Sequence, residues 1–328
     1  MEAFRFRAAV GACVLLGAAA TAPAAAQDFP AQCQVLTIIV PYSPGASADL
    51  AARVVAERLG TALGKTMVVE NKPGASGNIG TEEVARARPD GCTLLMNGTV
   101  IATFVHSFPK LGYHPFNDLV PVGSVGITPT LTVVPAKSPF HSFSELVEAG
   151  KAKPDTLNYS IAGYGLQQHL AIEEVMARTG ARFVYVPYKG AGGAGMTDLL
   201  AGRVDFASFL AATVAGFIKN GQLRALAVMQ DKRSPLFPDL PATGELGLKG
   251  LYGGVHFLLF APAKTPRAIV DRLDGALAKV VGSAEVKERL AGAGMEATVM
   301  SSAQMAAEMQ ALSDALGPTI KRLGIRLE

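Results

Sequence analysis

The chain has 328 residues, of which 49% are hydrophobic and 17% charged, and its net charge is +3. So small a charge, with no run of like-charged residues, excludes a nucleic-acid-binding face and a charged tail. About 300 residues suffice for two hydrophobic cores rather than one.

The N-terminus reads as a secretory signal over residues 1–26. Arg5 and Arg7 form a basic start, residues 8–20 are apolar but too short to span a bilayer, and Ala24-Ala25-Ala26 fits a cleavage site. Removing Arg5, Arg7 and Glu2 with that leader takes the net charge from +3 to +2. Gly, Pro or charge interrupts every later apolar stretch, so the mature chain is read as soluble and not membrane-inserted. Cys33 and Cys92 remain after cleavage, each just ahead of a strand-like run. If those runs are parallel neighbours, both thiols sit at one sheet end; the residues alone leave them free or paired.

In chain order, strand and helix signals alternate. Val35–Val40 is a β-branched apolar run, broken by Pro41-Tyr42-Ser43-Pro44-Gly45. A helix is expected over Ser47–Leu63, with Leu50, Val54, Val55, Leu59 and Leu63 on one stripe. Met67–Val69 and Thr93–Met96 read as strands around a short helix over Thr81–Arg88, and Val120–Val125 and Thr130–Val134 as two more, split at Pro129. Ser142-x-x-Glu145 opens a helix, Thr156–Ser160 is a strand, and a helix covers Gln167–Arg178. Strands at Phe183–Val186, Val204–Ser208, Leu223–Met229 and Val255–Phe260 follow, with short helices at Met196–Leu200 and Val214–Asn220. The C-terminal part is helical, opened at Thr265-Pro266, Ser283 and Ser301-x-x-Gln304. Such alternation means an α/β chain.

Gly190, Gly192 and Gly195 spell G-x-G-x-x-G after a strand. A dinucleotide site needs a longer crossover helix and an acid about 20 residues on; here Asp205 lies 15 past Gly190. No nicotinamide, metal or other cofactor is expected. Glycine-rich links between a strand and a helix start expose N–H groups in the positive field of the helix dipole, which suits a small anion; alone, each is equally readable as a plain tight loop. Three such links occur: Tyr42–Asp49, Ser160–His169 and Tyr188–Gly195.

The stretches IIVPYSPGASAD (38–49), VVENKPGASGNIG (68–80), PDGCTLLM (89–96), LNYSIAGYGLQQHLA (157–171), VPYKG (186–190), TDLLAGRVD (197–205) and LRALAV (223–228), in this order behind a signal, resemble the substrate-binding receptors of tripartite tricarboxylate transporters, the Bug family. The resemblance covers essentially the whole mature chain. It implies a two-lobed periplasmic-binding-protein fold, type II-like, each lobe a mostly parallel sheet flanked by helices, with a cleft between them. Lobe 1 would comprise 27–126 and 232–328, and lobe 2 residues 127–231. The family implies a monomeric periplasmic receptor of a Gram-negative bacterium that closes over a small organic acid and delivers it to integral-membrane subunits. It places the ligand at Tyr42, Ser43, Gly45, Ala46, Ser47 and Ala48, at Asn97, Gly98 and Thr99, at Ala162, Gly163, Tyr164, Gly165, Leu166, Gln167 and Gln168, and at Tyr188, Lys189 and Gly190. It also makes the strands that follow Cys33 and Cys92 neighbours, which favours a disulfide.

Many relatives carry a small polar run where this chain has Tyr164, Leu166, Gln167 and Gln168, and an acid where Phe209 falls. These departures point to a bulkier or more apolar carboxylate, such as an aromatic acid, with Phe209 at the pocket wall. His169 is expected to brace its loop and Asp49 to stabilise its helix start. The five histidines are scattered and no H-E-x-x-H, C-x-x-C or G-x-S-x-G occurs, so no catalytic residue is assigned. A ligand-presenting sensor subunit for a membrane kinase and an exported hydrolase are the alternatives.

Overall fold

The computed structural model describes residues 29–161, 163–188, 193–251 and 253–327; the signal segment and the expected site residues Ala162, Lys189 and Gly190 lie outside them. In chain order the elements are β1 (Leu36–Val40), α1 (Ser47–Leu63), β2 (Met67–Asn71), α2 (Asn78–Ala85), β3 (Thr93–Gly98), α3 (Phe104–Ser107) and β4 (Leu119–Thr128). Then come β5 (Thr130–Pro135), α4 (Phe143–Ala152), β6 (Asn158–Ile161), α5 (Gln167–Thr179), β7 (Val184–Tyr185), α6 (Gly193–Leu200), β8 (Phe206–Leu210), α7 (Ala211–Lys219) and β9 (Leu223–Val228). The chain ends with β10 (Val255–Pro262), α8 (Arg267–Gly282), α9 (Ala284–Gly292), β11 (Glu296–Ala297) and α10 (Ser302–Arg322).

Two sheets result, ordered β11-β4-β10-β3-β1-β2 and β7-β6-β8-β5-β9. The chain passes from the first to the second at Pro129 and returns between β9 and β10. Both sheets are mixed rather than mostly parallel. Parallel pairs occur where a helix carries the chain back over the sheet: β1 with β2 and β3, and β6 with β7 and β8. The strands at the passages between sheets pair antiparallel with their neighbours: the chain leaves the first sheet by β4 and enters β5 and β10 from the other sheet, with no such return.

Alternation along the strands feeds a core on each face. In β1, Leu36, Ile38 and Val40 pack with Val55 and Leu59 of α1 and with Leu273 and Leu277 of α8. The intervening Ile39 faces Met305, Met309 and Leu312 of α10. In the second sheet, Tyr159 and Phe206 pack toward Ile172 and Val175 of α5, while Leu131, Ala207 and Phe209 face Met196, Leu199 and Val214. Leu170 of α5 joins the α10 cluster, so one side chain of the second half is built into the core of the first.

Cys33 and Cys92 form a disulfide with Cα atoms 5.5 Å apart. The reason is the register: Thr37 pairs with Thr93, which brings the segments ahead of β1 and β3 side by side. Several boundaries differ from expectation. Strand β8 runs to Leu210 and α7 begins at the next residue, with no loop between. Pro266 is the cap of α8 rather than its first helical residue.

Candidate ligand-binding site

Among the nine described helices whose cap residue is also described, three carry a side-chain cap and six do not. Ser142, Ser283 and Ser301 accept hydrogen bonds from the first turns of α4, α9 and α10. Helices α1, α5 and α7 start instead at Ala46, Leu166 and Leu210, none of which makes a side-chain cap. An apolar cap residue leaves first-turn N–H groups without an internal partner. The amides of Ser47 and Ala48, and of Gln167 and Gln168, have no hydrogen-bond partner among the described residues.

These three helix starts converge. Ala46, Leu166 and Leu210 all line one cavity of about 300 Å³. Around them lie Tyr42, Ser47, Ala48, Gly98, Gln167 and Gln168 from the expected set. Ser76, Val100, Phe104, Val255 and Phe257 complete the wall. No charged side chain lines this cavity among the described residues. Its lining therefore combines the first-turn amides of α1 and α5 with an apolar background, with the fractional positive charge of helix N-termini as the source of field.

The first loop is held from below. Asp49 is 1% exposed. Its carboxylate accepts from Arg53 Nε at 2.9 and 3.0 Å, from the Gly45 amide at 2.9 Å and from Asn71 Nδ2 at 2.8 Å. Burial works to raise the Asp49 pKa, but the hydrogen bonds from Arg53, Gly45 and Asn71 outweigh it and hold the group below the ordinary carboxylate value. Asn71 also donates to the Tyr42 carbonyl, and Gly45 takes a φ of 84°, a turn that glycine adopts freely. Because Arg53 compensates Asp49, the α1 N-terminus keeps its positive field.

Tyr42 is fixed from the side. Its hydroxyl donates to Asn97 Oδ1 at 3.1 Å, and Asn97 donates to Thr81. Burial pushes the Tyr42 phenol up to about 12, so it stays a donor. The ring packs on Gly77, where a Cβ would lie 3.1 Å from ring carbon. Ser76 reaches the cavity rim from an unusual turn in which Gly74, Ala75, Ser76 and Gly77 all have positive φ.

Other expected residues lie away from the cavity. Ser43 and Gly45 shape the first loop without lining the space, and Asn97 is buried behind Tyr42. Thr99 faces an adjoining hollow shared with Gln167 and Gly254. Gly163 and Gly165 belong to the second loop; the Gly165 amide donates to His169 Nδ1 at 3.2 Å, which turns Nε2 toward Glu173 at 3.6 Å. Tyr164 is 43% exposed, packs at a tilt against the His169 ring and does not line the cavity. Tyr188 donates to Asp198 at 2.7 Å, outside the cavity lining.

Phe209 is not at the wall. It is 1% exposed and packs between Leu131 and the helices behind the sheet, while its neighbour Leu210 takes the cavity side. Successive strand residues point to opposite faces, so an alignment off by one residue exchanges wall for core. The sequence signal for Leu210 is a strand running straight into a helix at Ala211. Val100, Phe104, Val255 and Phe257 carry no local signal, since they look like ordinary core residues.

A model of the tripartite tricarboxylate transporter family receptor matches residues 51–325. The chain belongs to this receptor family. Among curated relatives, Protein BugT of Bordetella pertussis is 36% identical over 275 residues, 83% of each chain. A Pseudomonas sp. (strain P51) protein from the tcbD-tcbE intergenic region is 34% identical over 80% of this chain and 78% of its own. Among solved structures, the periplasmic binding protein BugD is 31% identical with a TM-score of 0.72, covering 89% of this chain and 98% of that one. An R. palustris receptor solved with adipate is 31% identical, with a TM-score of 0.77 over 92% of this chain and 100% of its own. MatC from Rhodopseudomonas palustris, solved with bound malate, is 27% identical with a TM-score of 0.71 over 87% and 98%. The fold of this tripartite tricarboxylate transporter receptor is thus the two-lobed α/β architecture of periplasmic binding proteins. Among its described residues there is no cluster of potential metal ligands, and no helix long and apolar enough to cross a membrane.

Proposed function

We propose that the chain is an exported periplasmic receptor that captures one small organic carboxylate, closes over it and delivers it to the integral-membrane subunits of a tripartite transporter. The observation that carries this reading is the convergence of three helix starts lacking side-chain caps on one cavity that no charged side chain lines among the described residues. The amides of Ser47, Ala48, Gln167 and Gln168, unpaired among the described residues, supply directional donors for carboxylate oxygens. Among the described residues nothing in that lining pairs a nucleophile with an adjacent base, and binding without turnover is the activity that fits. The lobes are assigned as 27–126 with 232–328, and 127–231, and closure brings the α5 start of the second onto the α1 start of the first. The molecule acts as a monomer.

The apolar wall formed by Val100, Phe104, Leu210, Val255 and Phe257 favours a ligand with an apolar body over a heavily hydroxylated polyacid. Receptors of known structure in the family hold adipate and malate, which supports a carboxylate as the shared element. Native mass spectrometry of protein purified from its host tests the reading. A retained mass in the organic-acid range, exchangeable with an added carboxylate, is expected. Failure to retain or bind any carboxylate in calorimetry against aromatic, aliphatic and hydroxylated acids overturns it.

A further inference from the structure

The segment that follows α10 is built into the back of the ligand site. Helix α10 ends in a sharp reversal: the Gly324 amide donates to the Lys321 carbonyl and the Ile325 amide to the Ile320 carbonyl, both at 3.1 Å. The Leu327 amide then donates at 2.8 Å to the carbonyl of Ser107, the last residue of α3. Residues 323–327 are thus fixed at both ends to helices that pack on the first sheet. What they touch in between belongs to the second. A Cβ on Gly165 would lie 2.9 Å from Ile325 Cγ2 and 3.5 Å from Leu327 Cδ2. Ile325 is 2% exposed, and Leu166 and Leu170 pack into the same cluster. Gly165 and Leu166 form the turn directly before α5. Leu166, Gln167 and Gln168 line the cavity, as does Phe104 of α3, whereas Ile325 and Leu327 do not. The segment therefore bridges, from behind, two elements that face the ligand space.

The structure assigns Ile325 as a positioning residue for ligand binding: its Cγ2 methyl is the seat on which Gly165 rests, and that seat sets where the first amides of α5 point. This rests on the carboxylate-receptor reading and adds to it a part that no ligand touches. The physical reason for a seat is the missing cap. A serine or aspartate cap ties a helix start to its own first turn. The α5 start has Leu166 in that place and no such bond. Its amides must still be held in direction, because a hydrogen bond weakens steeply with angle. The Gly165 amide bond to His169 Nδ1 holds the turn from within α5. Ile325 adds a hold from α10, and its β-branch, stiff at χ1, makes that hold firm. Glycine at 165 is what lets the two approach so closely.

Two substitutions separate a seat from mere filling. Ile325→Val shortens the side chain but keeps the β-branch methyl over Gly165; Ile325→Leu keeps the volume and moves the branch away from Cβ. If Ile325 only filled the core, the smaller valine would be the more damaging. Calorimetry with whichever of adipate and benzoate binds should give near wild-type affinity in Ile325→Val. In Ile325→Leu it should fall about tenfold, roughly the worth of one aligned hydrogen bond. Equal affinities in all three proteins, or a weaker Ile325→Val, overturn the assignment and leave the carboxylate reading standing. Hydrogen exchange without ligand is the second readout. Residues 163–170 should exchange faster in Ile325→Leu than in the wild type or Ile325→Val, and equal rates overturn the seat. If neither acid binds the wild type, the carboxylate reading suffers and exchange alone decides the seat. If Ile325→Leu does not fold, wild-type exchange with and without the binding acid decides. Slowing of 163–170 together with 321–327 supports the assignment, and slowing confined to 163–170 sinks it.

Discussion

At the scale of single residues, Ser47 separates backbone from side-chain recognition. It is the first residue of α1 and follows Ala46, whose φ of −66° and ψ of 158° already suit a residue preceding proline. Proline is tolerated at this helical position because the N–H it deletes has no helical partner. Ser47→Pro should therefore leave thermal stability nearly unchanged and weaken carboxylate binding tenfold or more in calorimetry. Ser47→Ala, which keeps the amide, should weaken it several-fold less. Equal losses in the two variants would assign recognition to the hydroxyl. Asp49 answers to pH. Its folded pKa is lowered, so its contribution to stability is complete above the unfolded value of about 3.9 and is lost as pH falls through the folded value. Asp49→Asn should cost about 1–3 kcal/mol near neutrality. The gap in melting temperature between the two proteins should narrow below about pH 4; parallel curves would contradict the network drawn around Asp49.

The elements show where local sequence speaks and where it is silent. Helix α1 is legible to the residue, because its apolar stripe starts after a Pro-Gly break and ends at Gly64 in the left-handed conformation. The capping box of α10 is also legible, since Ser301 and Gln304 satisfy each other's backbone partners locally. The two-residue strand β11 has no signature of its own; it exists because Glu296 and Ala297 meet Ile127 and Gly126 of a strand far away in the chain. The β8–α7 junction misleads for a related reason. Whether Phe209 or Leu210 faces the cavity depends on a register set by pairing Leu131 with Phe209. The disulfide between the β1 and β3 approaches closes 59 residues. Replacing both Cys33 and Cys92 by Ala should lower stability by about 4 kcal/mol in the chain-entropy model. Chemical denaturation of the oxidised and substituted chains measures it; a difference under about 1 kcal/mol would mean the bond leaves the unfolded chain as free as before.

Across the whole molecule, ligand capture is a matter of two sheets brought together over one space. The α1 start belongs with the first sheet, and the α5 and α7 starts with the second. An acid that engages both should hold the halves closer. Small-angle scattering should accordingly show a smaller radius of gyration with saturating ligand than without, and an unchanged radius would argue against closure as part of binding. The α/β alternation, the two candidate cysteines and the three glycine-rich links were legible in the sequence alone, because each depends on contacts within a few residues or on composition. Tertiary structure alone decided that the α7 start lines the cavity, that Phe209 is core, and that Val100, Phe104, Val255 and Phe257 form a wall. Their roles come from strand register and from two crossings between sheets, which join residues more than a hundred positions apart and leave no trace in local spacing.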